Sequence, residues 1–98
     1  MRVILSVLAE SDLQDITDYI ARDNPRRAVT FGNELTARCG KLKKTPLAFP
    51  ARDDLAEGLR MMSYRRYLIF YTVHPVEIII ERILHSARDL DSLFSDAD

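Results

Sequence analysis

Arg60, Arg82, His85 and Arg88 are the residues of this chain best suited to chemistry. They stand at the ends of apolar, strand-like runs: Leu59-Arg60, then Tyr67-Leu68-Ile69-Phe70-Tyr71, then Arg82-Ile83-Leu84-His85-Ser86-Ala87-Arg88-Asp89. Such groups are costly to bury without partners, and strands normally end in turn residues, so the blocks need an explanation. Arginines beside a histidine suit phosphodiester cleavage. The guanidinia would stabilise charge on the phosphorane, and an imidazole that titrates near neutrality would act as general acid or base. The plainer alternative makes Arg60 and Arg88 ion-paired surface residues. Arg82 would then bond carboxylates or carbonyls at a sheet edge, and His85 would bond backbone at a strand end.

Tyr64, Tyr67 and Tyr71 have the rings to stack nucleobases, although tyrosine is common in strands for packing reasons alone. Cys39 falls on an apolar helical stripe and reads as packing rather than as a nucleophile. There is no P-loop, GxGxxG or GxSxG pattern. With one cysteine and two histidines, neither an intrachain disulfide nor a metal site is expected. No cofactor is expected either.

The elements that must position these residues follow from periodicity. Residues 2 to 6 read as a short strand. Ser6 is placed to cap a helix over about 7 to 22, with Ala9, Leu13, Ile16 and Ile20 on one stripe. Asp23-Asn24-Pro25 breaks the chain, and Asn24 with Pro25 starts a second helix running to about Lys44. Its stripe is Ala28, Phe31, Leu35, Cys39 and Leu42. So short a turn makes the two helices antiparallel. Residues 45 to 58 read as a loop with a brief helical turn at 53 to 57. After Gly58 the period becomes two, giving strands over Leu59 to Tyr64, Tyr67 to His74 and Val76 to Leu84, paired as an antiparallel meander. A short helical turn at 89 to 94 is expected, anchored by Leu90, Leu93 and Phe94. The expectation is a single α+β domain over residues 1–98, ordered β-α-α-β-β-β, with an αα-hairpin on one face of an antiparallel sheet.

That topology bears on the opening constellation. In a meander the first and third strands run parallel, so the start of one does not lie near the end of the other. Arg60 and His85 would converge only through strong twist or folded-back loops. Met61-Met62 raises a separate point: adjacent strand residues face opposite sides, so one methionine must point outward or to an edge. Exposed methionine suits adaptable protein-binding surfaces, and an open sheet edge is a template for strand addition.

The chain is 47% hydrophobic and 30% charged, with 14 basic and 15 acidic side chains, a globular balance without the basic excess of most nucleic-acid binders. No apolar run approaches the roughly 20 residues of a membrane span. A reducing, cytoplasmic setting fits the lone cysteine.

Taken in order, Gly58-Leu59-Arg60, Tyr67 to Tyr71 and Arg82-Ile83-Leu84-His85 with Arg88-Asp89 resemble the ParE branch of the ParE/RelE toxin superfamily. Ala9, Asp12-Leu13, Ile16, Tyr19-Ile20 and Pro25, Ala28, Phe31 resemble its helical hairpin. The likeness covers about residues 2 to 90. It implies the toxin of a type II toxin–antitoxin pair, which poisons DNA gyrase, catalyses no reaction of its own and is held in a hetero-oligomer by a ParD-like antitoxin. Under the resemblance, antitoxin contact is expected from Val7, Tyr19, Met61, Met62, Leu93 and Phe94. Target contact is expected from Arg60, Arg82, His85 and Arg88. RelE-like relatives instead cleave mRNA on the ribosome, and for that alternative the catalytic set would be Arg60, Arg82 and His85. The acidic loop Pro50-Ala51-Arg52-Asp53-Asp54 and the net charge of −1 are unfavourable facing a polyanion. A degenerate toxin that only binds its antitoxin is the third reading.

Overall fold

Strand β1 (Arg2–Leu5), helices α1 (Val7–Ala21) and α2 (Pro25–Gly40), a 3-10 turn (Lys41–Lys43) and strands β2 (Arg60–Tyr64), β3 (Tyr67–Val73) and β4 (Glu77–His85) make up the chain. The computed structural model describes residues 1–86. The turn expected at 89 to 94, and Arg88, Leu93 and Phe94 with it, lie outside the described residues.

Both helices begin as their sequences dictate. The Ser6 hydroxyl accepts from the Ala9 amide at 3.0 Å, and the Asn24 side chain accepts from the Arg27 amide at 3.0 Å. Each cap satisfies one of the backbone donors that a helix start leaves unpaired. The stripe Ala28, Phe31, Leu35, Cys39 and Leu42 is buried throughout. On α1, Ala9 and Ile16 are buried, with Leu13 and Ile20 packed beside them. Alternate residues of the sheet, among them Ile69, Tyr71, Ile78 and Ile80, complete one core between the sheet and the helical hairpin.

The sheet order is β1-β4-β3-β2. The meander β2-β3-β4 is antiparallel as expected. The sheet as a whole is mixed, because β1 pairs parallel with β4, Arg2 opposite Glu77 through Leu5 opposite Ile80. The register of β3 and β4 slips at one point: Phe70 faces Arg82 but Tyr71 faces Ile80, leaving Glu81 as an extra residue in β4. A bulge of this kind bends a strand and re-aims its side chains.

The bulge falls where β1 ends, and the edge of β4 beyond it is closed by the side chains of Ser6, which precedes α1, and of Asp12 on α1. The Ser6 hydroxyl donates to the Glu81 carbonyl at 2.9 Å. Asp12 accepts from the Ile83 amide at 2.9 Å and holds Arg82 with both oxygens, at 2.8 and 3.0 Å. The Asp12 side chain is 13% exposed, so these bonds work in a partly dry setting. Among the described residues, no buried side-chain nitrogen or oxygen lacks a hydrogen-bond partner.

Asp12→Ala strands both the Ile83 amide and the Arg82 guanidinium. A loss of about 2–3 kcal/mol in urea unfolding is expected. Asp12→Asn keeps an acceptor for Ile83 and is expected to lose about half of that.

Candidate functional site

The structure disperses the arginine–histidine constellation. Arg60 pairs across β2 and β3 with Tyr71, whereas His85 pairs with Tyr67, which faces Tyr64 at the far end of β2. The four residue steps from Tyr67 to Tyr71 separate the two by about 13 Å along the strands, with a strand between them as well. Arg60 works as a brace: its guanidinium donates to the Phe49 carbonyl at 2.7 Å and the Leu47 carbonyl at 3.4 Å. With the Tyr71 hydroxyl donating to the Pro46 carbonyl at 2.8 Å, it pins the 45–59 loop to the sheet. Burial holds the Tyr71 phenol above its usual pKa, which nearby Arg60 partly offsets. Arg82 is occupied by Asp12. His85 lies edge-on to Tyr67, with ring centroids 5.4 Å apart.

Among the described residues, those expected to contact an antitoxin, Val7, Tyr19, Met61 and Met62, do not form one patch. Val7 and Tyr19 are exposed, at 81% and 53%, but twelve residues of helix turn them about 120° apart on α1. Met62 is corrected outright: it is 2% exposed and part of the core. Alternation along β2 sends Met61 to the other face, where it is half-buried under the Arg52 side chain, whose guanidinium lies 3.5 Å from its sulfur. Cys39 is buried, and burial pushes its thiol up to about 11. Among the described residues no group of three His, Cys, Asp or Glu side chains is arranged to hold a metal. No described helix is long and apolar enough to cross a membrane.

Two surfaces emerge that single residues in the sequence did not announce. The first is a groove of roughly 310 Å³ between α1 and α2, with Leu5 and Leu13 in its walls and Gln14, Thr17, Gly32 and Thr36 along it. Gly32 faces α1: a methyl there would lie 3.4 Å from Thr17 Cγ2, at van der Waals contact. The groove opens beside β1, the outermost strand. The Arg2 and Ser6 amides point at β4, so the backbone groups of Val3 and Leu5 point outward. Val7 lies one helical turn before Glu10 and two before Gln14, on the groove's flank of α1.

The second surface lies on the opposite flank of α2, against β2. Glu34 is paired there with Arg27, accepts from the Tyr64 hydroxyl at 2.8 Å and lies 3.7 Å from Arg65. The bond from Arg27, then that from Tyr64, holds the Glu34 carboxyl below the usual carboxylate range. Helical spacing of seven and eleven, which puts Arg27, Glu34 and Arg38 on one flank, is the signal that would have revealed this surface from the sequence.

The fold is a small α+β fold in which an αα-hairpin lies on a four-stranded sheet, with an open groove between the helices and β1 and β2 as the outer strands. Over residues 3–90 the chain matches the family model for the ParE toxin of the type II toxin-antitoxin system, parDE, and it belongs to that family. A solved structure described as the chromosomal ParDE TA system from P. aeruginosa is similar in fold, with a TM-score of 0.74 at 20% identity, covering 87% of this chain and 95% of that one. No curated protein matches the sequence.

Two measurements test this picture. The Cys39 thiol is expected to resist a thiol reagent at pH 8 and to react only as fast as the protein unfolds. For Glu34 the folded pKa lies below its ordinary 4.5. Its contribution to stability is therefore complete above that value and is lost as the pH falls through the folded value. Urea midpoints between pH 6 and 3 should fall more steeply in the wild type than in Glu34→Gln.

Proposed function

We propose that this ParE-family toxin acts in the cytoplasm by inhibiting DNA gyrase and is neutralised by direct binding of a ParD-like antitoxin. The observation that carries the neutralisation half is the groove between α1 and α2. It has apolar walls at Leu5 and Leu13 and polar residues along it at Gln14, Thr17 and Thr36. An amphipathic helix fits such a groove. An extended stretch of the same partner can continue along β1, where the backbone groups of Val3 and Leu5 face outward. For the target, the ParE family assignment favours gyrase over the ribosome. The dispersal of Arg60, Arg82 and His85 points the same way, because the cleavage set of the alternative is not assembled around one phosphate.

Purified toxin should inhibit gyrase supercoiling or stabilise its cleavage complex, and should leave ribosome-bound mRNA intact. Intact supercoiling at saturating toxin, or mRNA cut in codon register, would reject the gyrase reading. Val7→Lys and Thr36→Arg, both on exposed positions beside the groove, should each weaken antitoxin binding at least tenfold while far-UV circular dichroism stays unchanged. Unaltered affinity in both would show that the antitoxin sits elsewhere.

A further inference from the structure

Three arginines gather at the corner where α2 passes the β2–β3 hairpin. The Arg38 guanidinium lies 5.1 Å from the centroid of the Tyr64 ring, and that of Arg65 lies 5.5 Å from it. Arg27 sits 5.2 Å over Phe31, whose ring neighbours Tyr64 at 6.1 Å. Among the described residues, Glu34 is the one carboxylate paired with the group, so three guanidinia share a single described acid there. Arg66 adds a further charge at the hairpin tip. Arg65 itself is held at φ +54°, a backbone region that suits glycine better. The whole chain has 14 basic and 15 acidic side chains, and its last twelve residues hold Arg88 against Asp89, Asp91, Asp96 and Asp98. Residues 1–86 therefore hold 13 basic and 11 acidic side chains.

Next to these arginines the sheet has an open edge. β2 is the outermost strand on this side. The Met61 amide donates outward to the Pro50 carbonyl and the Leu59 carbonyl accepts from the Arg52 amide, so the 45–59 loop covers the first half of the edge. Ser63 is the next residue whose backbone faces outward. It is exposed, and the described residues supply no hydrogen-bond partner for its N–H or C=O.

We propose that this corner docks an acidic protein segment in extended conformation, which pairs its backbone with β2 at Ser63 and sets alternate carboxylates against Arg27, Arg38 and Arg65. Guanidinia match carboxylates bidentately, and an added strand presents every second side chain to one face. A nucleic acid fits less well. The Tyr64 ring is already attended by two guanidinia and offers no free platform for a base, and a sugar–phosphate backbone does not reproduce the alternating amide pattern of a strand. The site is separate from the groove assigned to the antitoxin, lying on the other flank of α2, and stands or falls independently of that reading.

The test measures binding of a labelled Thr-Glu repeat peptide to the full-length toxin by fluorescence anisotropy. Measurable binding that weakens with salt is expected, reduced at least tenfold in Arg38→Glu/Arg65→Glu. It should also be reduced at least tenfold when alternate amides of the peptide are N-methylated. Arg38→Gln/Arg65→Gln provides a gentler pair, and an unreactive Cys39 thiol certifies that each variant is folded. Equal affinity in the folded variants, indifference to N-methylation, or tighter binding of a DNA duplex of matched charge would overturn the proposal.

Discussion

The fold depends on how the edge of β4 is closed where β1 runs out. A strand edge left bare carries unpaired amides and carbonyls, which either cost free energy when buried or recruit a stray strand. Here β1 covers β4 only as far as Ile80, and the chain then turns into α1. Ser6 takes the Glu81 carbonyl while capping the helix, and Asp12 takes the Ile83 amide while fixing Arg82. The bulge at Glu81 sits at this changeover. One short stretch thus ends a strand, starts a helix and orients the hairpin against the sheet. The groove and both free edges inherit their positions from it.

The other charged residues of the scaffold follow the same logic. Arg60 and Tyr71 hold the loop onto the sheet through backbone carbonyls, and Asp53 accepts from the Gly58 amide at 2.9 Å, where φ is +77° and glycine is required. These bonds occupy side chains that otherwise invite a catalytic reading. An arginine whose donors are spent on carbonyls or on a carboxylate is poorly placed to meet a phosphorane. On the α2 flank, by contrast, three guanidinia share the single carboxylate of Glu34 among the described residues.

Net charge was a blunt guide for this reason. A value of −1 describes the whole chain, yet the acids concentrate on α1 and in the last twelve residues, while arginines crowd the β2 corner. Within a Debye length of roughly 8–10 Å a partner responds to the local arrangement rather than to the total. A basic surface can therefore exist on an overall acidic protein, and a short acidic segment suits it better than a long polyanion.

The sequence by itself determined the elements and their order. Ser6 and Asn24 set the helix starts, the apolar stripes set the buried faces, and the switch to a period of two marked the meander, because these signals are local. Family membership was legible for the same reason, in ordered short blocks. The end of α2 was less so: α2 stops at Gly40 and the 3-10 turn carries the chain to Lys43, since Leu42 still has to reach the core. Tertiary structure alone decided the parallel pairing of β1 with β4, the bulge, the burial of Met62 rather than Met61, and the use of Arg60 and Arg82 as braces. Each of these depends on contacts between residues far apart in the chain: Asp12 meets Arg82 and Ile83 across seventy positions, and Glu34 meets Tyr64 across thirty. No local period encodes such meetings. They arise because the packed hairpin and sheet leave particular backbone groups without partners, and the nearest side chains must satisfy them.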